Sequence, residues 1–405
     1  WQSGNPCFKK SFARAGCSPP AMPSDAQTGS LSVLPGDAGG HDAESGHQAV
    51  PSASPPVTGS AGSALASALE AYQKATAELA ESHSTIQFKP QPGSWDCKGW
   101  FRSIFDCRGR ALRHIVPPLA VVLLESLTIA VLADEEIWDS WVLAMPQSEA
   151  LEEGYRMLVV PVSFLLVFRL NRAAVRFYDA RAAMGKLIEI CRVLASEAAY
   201  YCAHDRKARD DLCRWVVVFP VATRNYIRAE APDQTRELAG VLSPVEAAAL
   251  RRATMQPLLC LDRMRKAALD AARSSKEDPG AVGGPALRSI EENICTLTGA
   301  MGAMERINST PLPFAYVSHL RTFLLLYLLG MPVALHSSWG WATPVVTFLV
   351  AFAMLGIEGA AVACERPFGL NRNHLPMDYF CQVVAKNVSQ ILRQAEELQE
   401  SSSKE

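Results

Sequence analysis

Apolar residues in this chain gather into four blocks set between charged stretches. The first covers about 114–133 (HIVPPLAVVLLESLTIAVLA), the third about 317–336 and the fourth about 341–363. Each has the roughly 20-residue length that lets a helix cross a bilayer. The second block, Met157–Phe168, holds only about a dozen apolar residues, too few to cross alone by the same rule. It must tilt, be shielded by neighbours, or carry its polar continuation (to about 178) into a water-filled interior. The short stretch SSWG (337–340) makes the last two blocks a helical hairpin. Between blocks two and three the pattern predicts long helices over 172–204, 208–230, 244–273 and 286–308. Breaks fall near His204, at Pro232 and in EDPGAVGGP (277–285). No stretch alternates convincingly as a strand, so the fold class is all-α.

The ends of the chain read differently. Residues 1–64 are rich in Ser, Ala, Pro and Gly and lack apolar periodicity, which predicts disorder. Lys9, Lys10 and Arg14 precede the first acid, Asp25, as in an organelle transit segment. Residues 64–80 predict a short amphipathic helix. Trp95, Trp100, Phe101 and Phe105, interleaved with Lys98, Arg102, Arg108, Arg110 and Arg113, predict an interfacial anchor ahead of the first span. The tail 383–398 is amphipathic through Val384, Val388, Ile391, Leu392, Ala395 and Leu398. It is placed either against a soluble partner or against its own assembly.

The second block carries the most chemistry. Val160, Phe164 and Phe168 recur at i, i+4 and i+8 and so share one face of a helix. Pro161 lies among them, as membrane helices tolerate where neighbours or water satisfy the freed carbonyl. If several copies surround an axis, such positions become stacked apolar rings that gate by dewetting. Phenylalanine edges are the positive end of the ring quadrupole and meet anions more favourably than cations. Arg169, Arg172, Arg176 and Arg181 follow without a break, and the first three are assigned to an anion-attracting vestibule. Asp179, three residues beyond Arg176, is placed to neutralise part of that charge. Pro311 and Pro313 introduce the third block, where free N–H groups and the helix dipole favour anions. Leu312 between them is a second narrow point. Glu125 and Glu358 lie inside apolar blocks, and structural pairing with groups such as His319 and Arg321 is the expected outcome.

Charge gives the topology. Residues 134–155 hold seven acids and no Lys or Arg, whereas the region after block two is dense in both. The positive-inside rule then puts the termini and about 170–312 on the side of insertion. A formal net charge of −2 conceals this sorting. The 11 cysteines, an odd number with no C-x-x-C and no paired spacing, argue against a disulfide framework or zinc ribbon and favour a reducing compartment. Walker, G-x-S-x-G, H-E-x-x-H and G-x-G-x-x-G motifs are all missing, so an enzyme is not expected.

Four motifs in order resemble the bestrophin-like family of anion channels, in its bacterial, plant and algal branch. FRLNRAAVRFYDAR (168–181) is similar to FR-x-N-x-x-x-x-R-x-x-[ED]-x-R, and RWVVVFPVATRNYIR (214–228) to a second family helix. PLPFAYVSH (311–319) resembles the P-x-x-Y-x-x-H opening of the third membrane segment. GIEGAAVACERPFG followed by LPMD (356–378) resembles the G-[LI]-E, P-F-G and L-P-[LM]-D stretch. The resemblance implies a four-segment transmembrane subunit, continuous with a helical soluble domain and assembled as a homopentamer around one pore for chloride and other small anions. It places the pore neck at Val160, Phe164 and Phe168 and the aperture at Leu312. It implies no cofactor beyond bound chloride. LNRNHLPMD (370–378) also lacks the carboxylate cluster a calcium site needs, so calcium gating is not expected.

The expected organisation is therefore a low-complexity region at 1–94, a channel domain at 95–381 with its soluble part at about 172–312, and a tail at 382–405. Chloride is the first candidate ion and bicarbonate the second. Photosynthetic relatives and the transit-like head point to a multi-pass protein of the chloroplast thylakoid. Its partners would be its own copies, the bilayer and small anions, with no nucleic acid. The alternative is a non-conducting membrane scaffold that recruits a soluble partner through the tail. A secondary transporter is disfavoured because the halves show no internal symmetry.

Overall fold

The computed structural model describes residues 65–74, 112–134, 149–229, 237–238, 240–274, 283–371 and 373–402. These are helical apart from turns, and no β-strand occurs among them. The low-complexity head, most of the aromatic-basic segment 95–113, the acidic loop 135–148 and the breaks at Pro232 and 277–282 lie outside the described residues.

Residues 65–74 form α1. There follow α2 (Leu112–Asp134), α3 (Glu149–Tyr201), α4 (Arg206–Arg228), α5 (Pro244–Arg252), α6 (Gln256–Ser274), α7 (Gly284–Ser309), α8 (Phe314–Trp339), α9 (Thr343–Glu365) and α10 (Met377–Ser402). α2, α3 and the α8–α9 pair are long and apolar enough to cross a membrane. Between α8 and α9 the chain reverses through a single 3-10 turn, Gly340–Ala342. Gly340 takes φ +49°, ψ −130°, a conformation open essentially to glycine alone, which explains the glycine of SSWG.

The short second block resolves into one continuous helix. α3 runs for 53 residues, about 80 Å at 1.5 Å per residue, so its apolar block is the membrane part of a much longer rod. Upstream, Val162 and Leu166 pack with Ile115 and Val122 of α2, Leu320 and Leu324 of α8, and Ala351 and Leu355 of α9. Downstream, Met184, Leu187, Cys191 and Leu194 enter a second core built with α4, α6, α7 and α10. A single helix thus joins the membrane bundle to the soluble bundle.

Local signals explain the soluble helices. Asp205 caps α4 by accepting the Ala208 N–H at 3.0 Å. Ser243 and Glu246 form a capping box at α5. The single helix expected over 244–273 is two, because Ala253 is extended and Pro257 stands in the first turn of α6. Proline there has no N–H to bond the carbonyl four residues back, and its ring excludes that carbonyl. α1 falls within the amphipathic segment 64–80 and lays Leu69 and Tyr72, both fully buried, into the soluble core.

The tail corrects another expectation. The proposed boundary at 382 falls inside α10, whose Val384, Val388 and Ala395 are fully buried; Val384 and Val388 belong to the soluble core. Most of the apolar stripe is therefore used within the chain, with Leu398 at its end left exposed, so the tail is not a free arm.

Candidate functional site

Where α3 passes through the membrane bundle it shows two faces. Val162, Leu166 and Arg169 are inaccessible, whereas Val160 is 68 %, Phe164 62 % and Phe168 43 % exposed in the protomer. The three predicted neck residues therefore form one uncovered apolar stripe, opposite the face that packs. Phe164 and Phe168 meet edge to face, with ring centroids 4.5 Å apart at 84°. Each ring thereby limits the rotation of the other. Asn171, Arg172, Val175 and Tyr178 continue the exposed side below them. Leu312, half-buried, lies in the short link between α7 and α8.

The arginines divide in a way their spacing does not reveal. Arg169 is fully buried: its Nη2 reaches Glu365 Oε2 at 2.7 Å and its Nε reaches Glu358 Oε2 at 3.3 Å. Arg321 Nε holds the other Glu358 oxygen at 2.8 Å. Arg169 is thus a structural counter-ion, not a vestibule charge, and the expected pairing of Glu358 with Arg321 is present. Arg176 also departs from the vestibule assignment. It donates to three backbone carbonyls, Thr310 at 2.6 Å, Glu365 at 2.9 Å and Ile307, and makes no bond to Asp179. Arg172 alone of the three is exposed and without a hydrogen bond or ion pair among the described residues. Glu125 has no cationic partner there either, and one of its oxygens is buried without a hydrogen bond.

A second charged cluster ties the P-F-G and L-P-M-D motifs to the soluble core. Arg224 reaches Glu237 at 2.6 Å and Asp378 at 2.7 Å. Arg228 reaches Asp378 at 3.2 Å and donates from Nε to the Phe368 carbonyl at 2.9 Å. Within the turn, the Leu375 N–H bonds the Pro367 carbonyl at 2.7 Å. Gly369 leaves room for His374, whose Nδ1 lies 2.3 Å from where a Cβ would stand. Burial pushes the nearby Cys381 thiol up to about 12, which keeps it protonated and inert.

Burial raises the Asp378 carboxyl, but Arg224 and Arg228 outweigh it and hold the group below its ordinary value. A depressed folded pKa gives stability that is complete above the unfolded value of about 3.9 and is lost as pH falls through the folded one. Thermal melts should therefore show wild type losing stability below about pH 4 more steeply than Asp378→Asn, which is already weaker at pH 7. Equal acid slopes would contradict this assignment.

These features define a class: an all-α membrane subunit whose spanning helices continue into a helical soluble domain, with an uncovered apolar stripe at the junction. The chain belongs to the bestrophin family, since the family model described as Bacterial/Fungal Bestrophin protein matches residues 94–390. A voltage-dependent anion channel-forming protein of Nostoc sp. is 29 % identical over 302 residues, 73 % of this chain and 92 % of that protein. A protein of the same description from Ralstonia nicotianae is 26 % identical, over 72 % of this chain and 92 % of its own length. Among solved structures, a bacterial bestrophin homolog from Klebsiella pneumoniae shares the fold with TM-score 0.62 at 21 % identity. That match covers 69 % of this chain and 98 % of the other.

Proposed function

We propose that the protein is a homopentameric anion channel, not an enzyme, passing chloride and bicarbonate passively through an axial pore. The observation that carries this reading is the stripe Val160, Phe164 and Phe168, exposed along a helix whose opposite face is packed. An apolar stripe beside lipid needs no explanation by itself. This one, however, is followed on the same exposed side by Asn171 and by Arg172, which has no ion pair among the described residues; the apolar interior of a bilayer disfavours such groups, whereas a water-filled vestibule suits them. The relatives described as anion channel-forming support the same choice.

In this mechanism no bond is made or broken. Arg172 and the helix start after Pro313 raise the local anion concentration, and the apolar rings select by the cost of shedding water. Leu312 forms the second constriction. The vestibule charge is narrower than the sequence implied, resting on Arg172 rather than on three arginines. Native mass spectrometry of the detergent-solubilised protein should give five copies, and a monomer or dimer would remove the axial pore. We further place the protein in the thylakoid membrane, on the basis of the basic, acid-free start of segment 1–64. A reporter fused to residues 1–64 should enter chloroplasts, and a wholly cytosolic reporter would contradict that location.

A further inference from the structure

Arg176 makes an arrangement that neither charge nor spacing calls for. The last carbonyls of a helix have no partner within it, and the helix dipole leaves them partly negative. α7 ends at Ser309 and α9 ends at Glu365, and both ends converge on this one guanidinium. Nη2 donates to the Ile307 carbonyl, Nη1 to that of Thr310 at 2.6 Å, and Nε to that of Glu365 at 2.9 Å. The planar fork of arginine can serve three acceptors in fixed directions, which the single ammonium of lysine cannot.

Two residues beyond Thr310 stands Leu312, between Pro311 and Pro313, whose rings fix their own φ angles. The path from the clasp to Leu312 is therefore short and stiff. Arg176 also lies on the helix that carries Phe168, eight residues and about 12 Å along its axis. Arg169, on that same helix, binds the carboxylate of Glu365 while Arg176 binds its carbonyl. The end of α9 is thus held to α3 twice, and the α7–α8 link is fastened to the same place.

We propose that Arg176 is a positioning residue: it clasps the C-terminal carbonyls of α7 and α9 to α3 and thereby sets where Leu312 stands relative to the neck. The structural part stands on the hydrogen bonds alone, and its consequence for permeation rests on the channel reading above. Two measurements separate them. Hydrogen exchange on the intact detergent-solubilised protein compares wild type, Arg176→Gln and Arg176→Lys. Arg176→Gln should speed exchange in a peptide spanning 306–317 by at least about tenfold while 212–222 in the soluble core is unchanged; Arg176→Lys should fall between. Unchanged exchange at 306–317, or equal acceleration in both regions, overturns the clasp whether or not the protein conducts.

The second measurement is a double-mutant cycle on the chloride-to-bicarbonate permeability ratio in bilayers. Arg176→Gln should be non-additive with Leu312→Ala and additive with Phe164→Ala. Additivity with both overturns the positioning role even if the clasp itself is confirmed by exchange. A merely structural arginine would scale current without coupling selectively to Leu312.

Discussion

Alanine at Val160, Phe164 and Phe168 together raises the unitary conductance of the reconstituted protein and collapses its discrimination between anions of different hydration. An apolar constriction opposes ions because they shed water there without replacement ligands. Widening it lets part of the hydration shell pass. Every protomer loses two aromatic rings and a branched side chain, and each 1.4 kcal/mol or so taken off the barrier raises flux about tenfold. Because all three side chains are exposed in the protomer, the substitution should leave folding nearly intact. A triple variant that melts like wild type and keeps wild-type permeability ratios would remove the neck from this stripe.

Arg169→Met should destabilise the protein by about 3–5 kcal/mol, because it leaves Glu358 and Glu365 without their buried cation. The arginine is fully buried and the two carboxylates nearly so, which limits how far water can replace the lost cation. Arg321 would still neutralise part of Glu358 but reaches no oxygen of Glu365. Adding Glu365→Gln to Arg169→Met should restore much of the loss, since the unpaired charge is what costs most. Thermal melts in detergent read both variants. An Arg169→Met protein as stable as wild type would show that the network carries no net energy.

Particular residues show why some of this was legible in the sequence. The stripe was readable because three large apolar residues repeat at i+4 beside a proline, a pattern that needs no partner to be seen. Glu358 is legible from the cost of a carboxylate in an apolar block, and Arg321 as a cation near the start of the third block. Arg169 was misassigned because its partners lie 189 and 196 residues away, beyond any local pattern. Arg176 was misassigned because its acceptors are main-chain carbonyls, which side-chain spacing cannot display. Most of α3 is legible, since the second segment to about 178 overlaps the helix from 172; its start at Glu149 is not, because the first turns carry Glu149, Glu152 and Glu153 and show no apolar period. The tail's period was correct, but an amphipathic stripe does not say which surface covers it.

The central claim is that anions pass through this protein, and the reversal potential of the purified chain in a bilayer with asymmetric potassium chloride tests it most directly. A value near the chloride equilibrium potential, shifted by bicarbonate replacement, is what the exposed stripe and the exposed Arg172 predict. A value near the potassium potential would contradict the account.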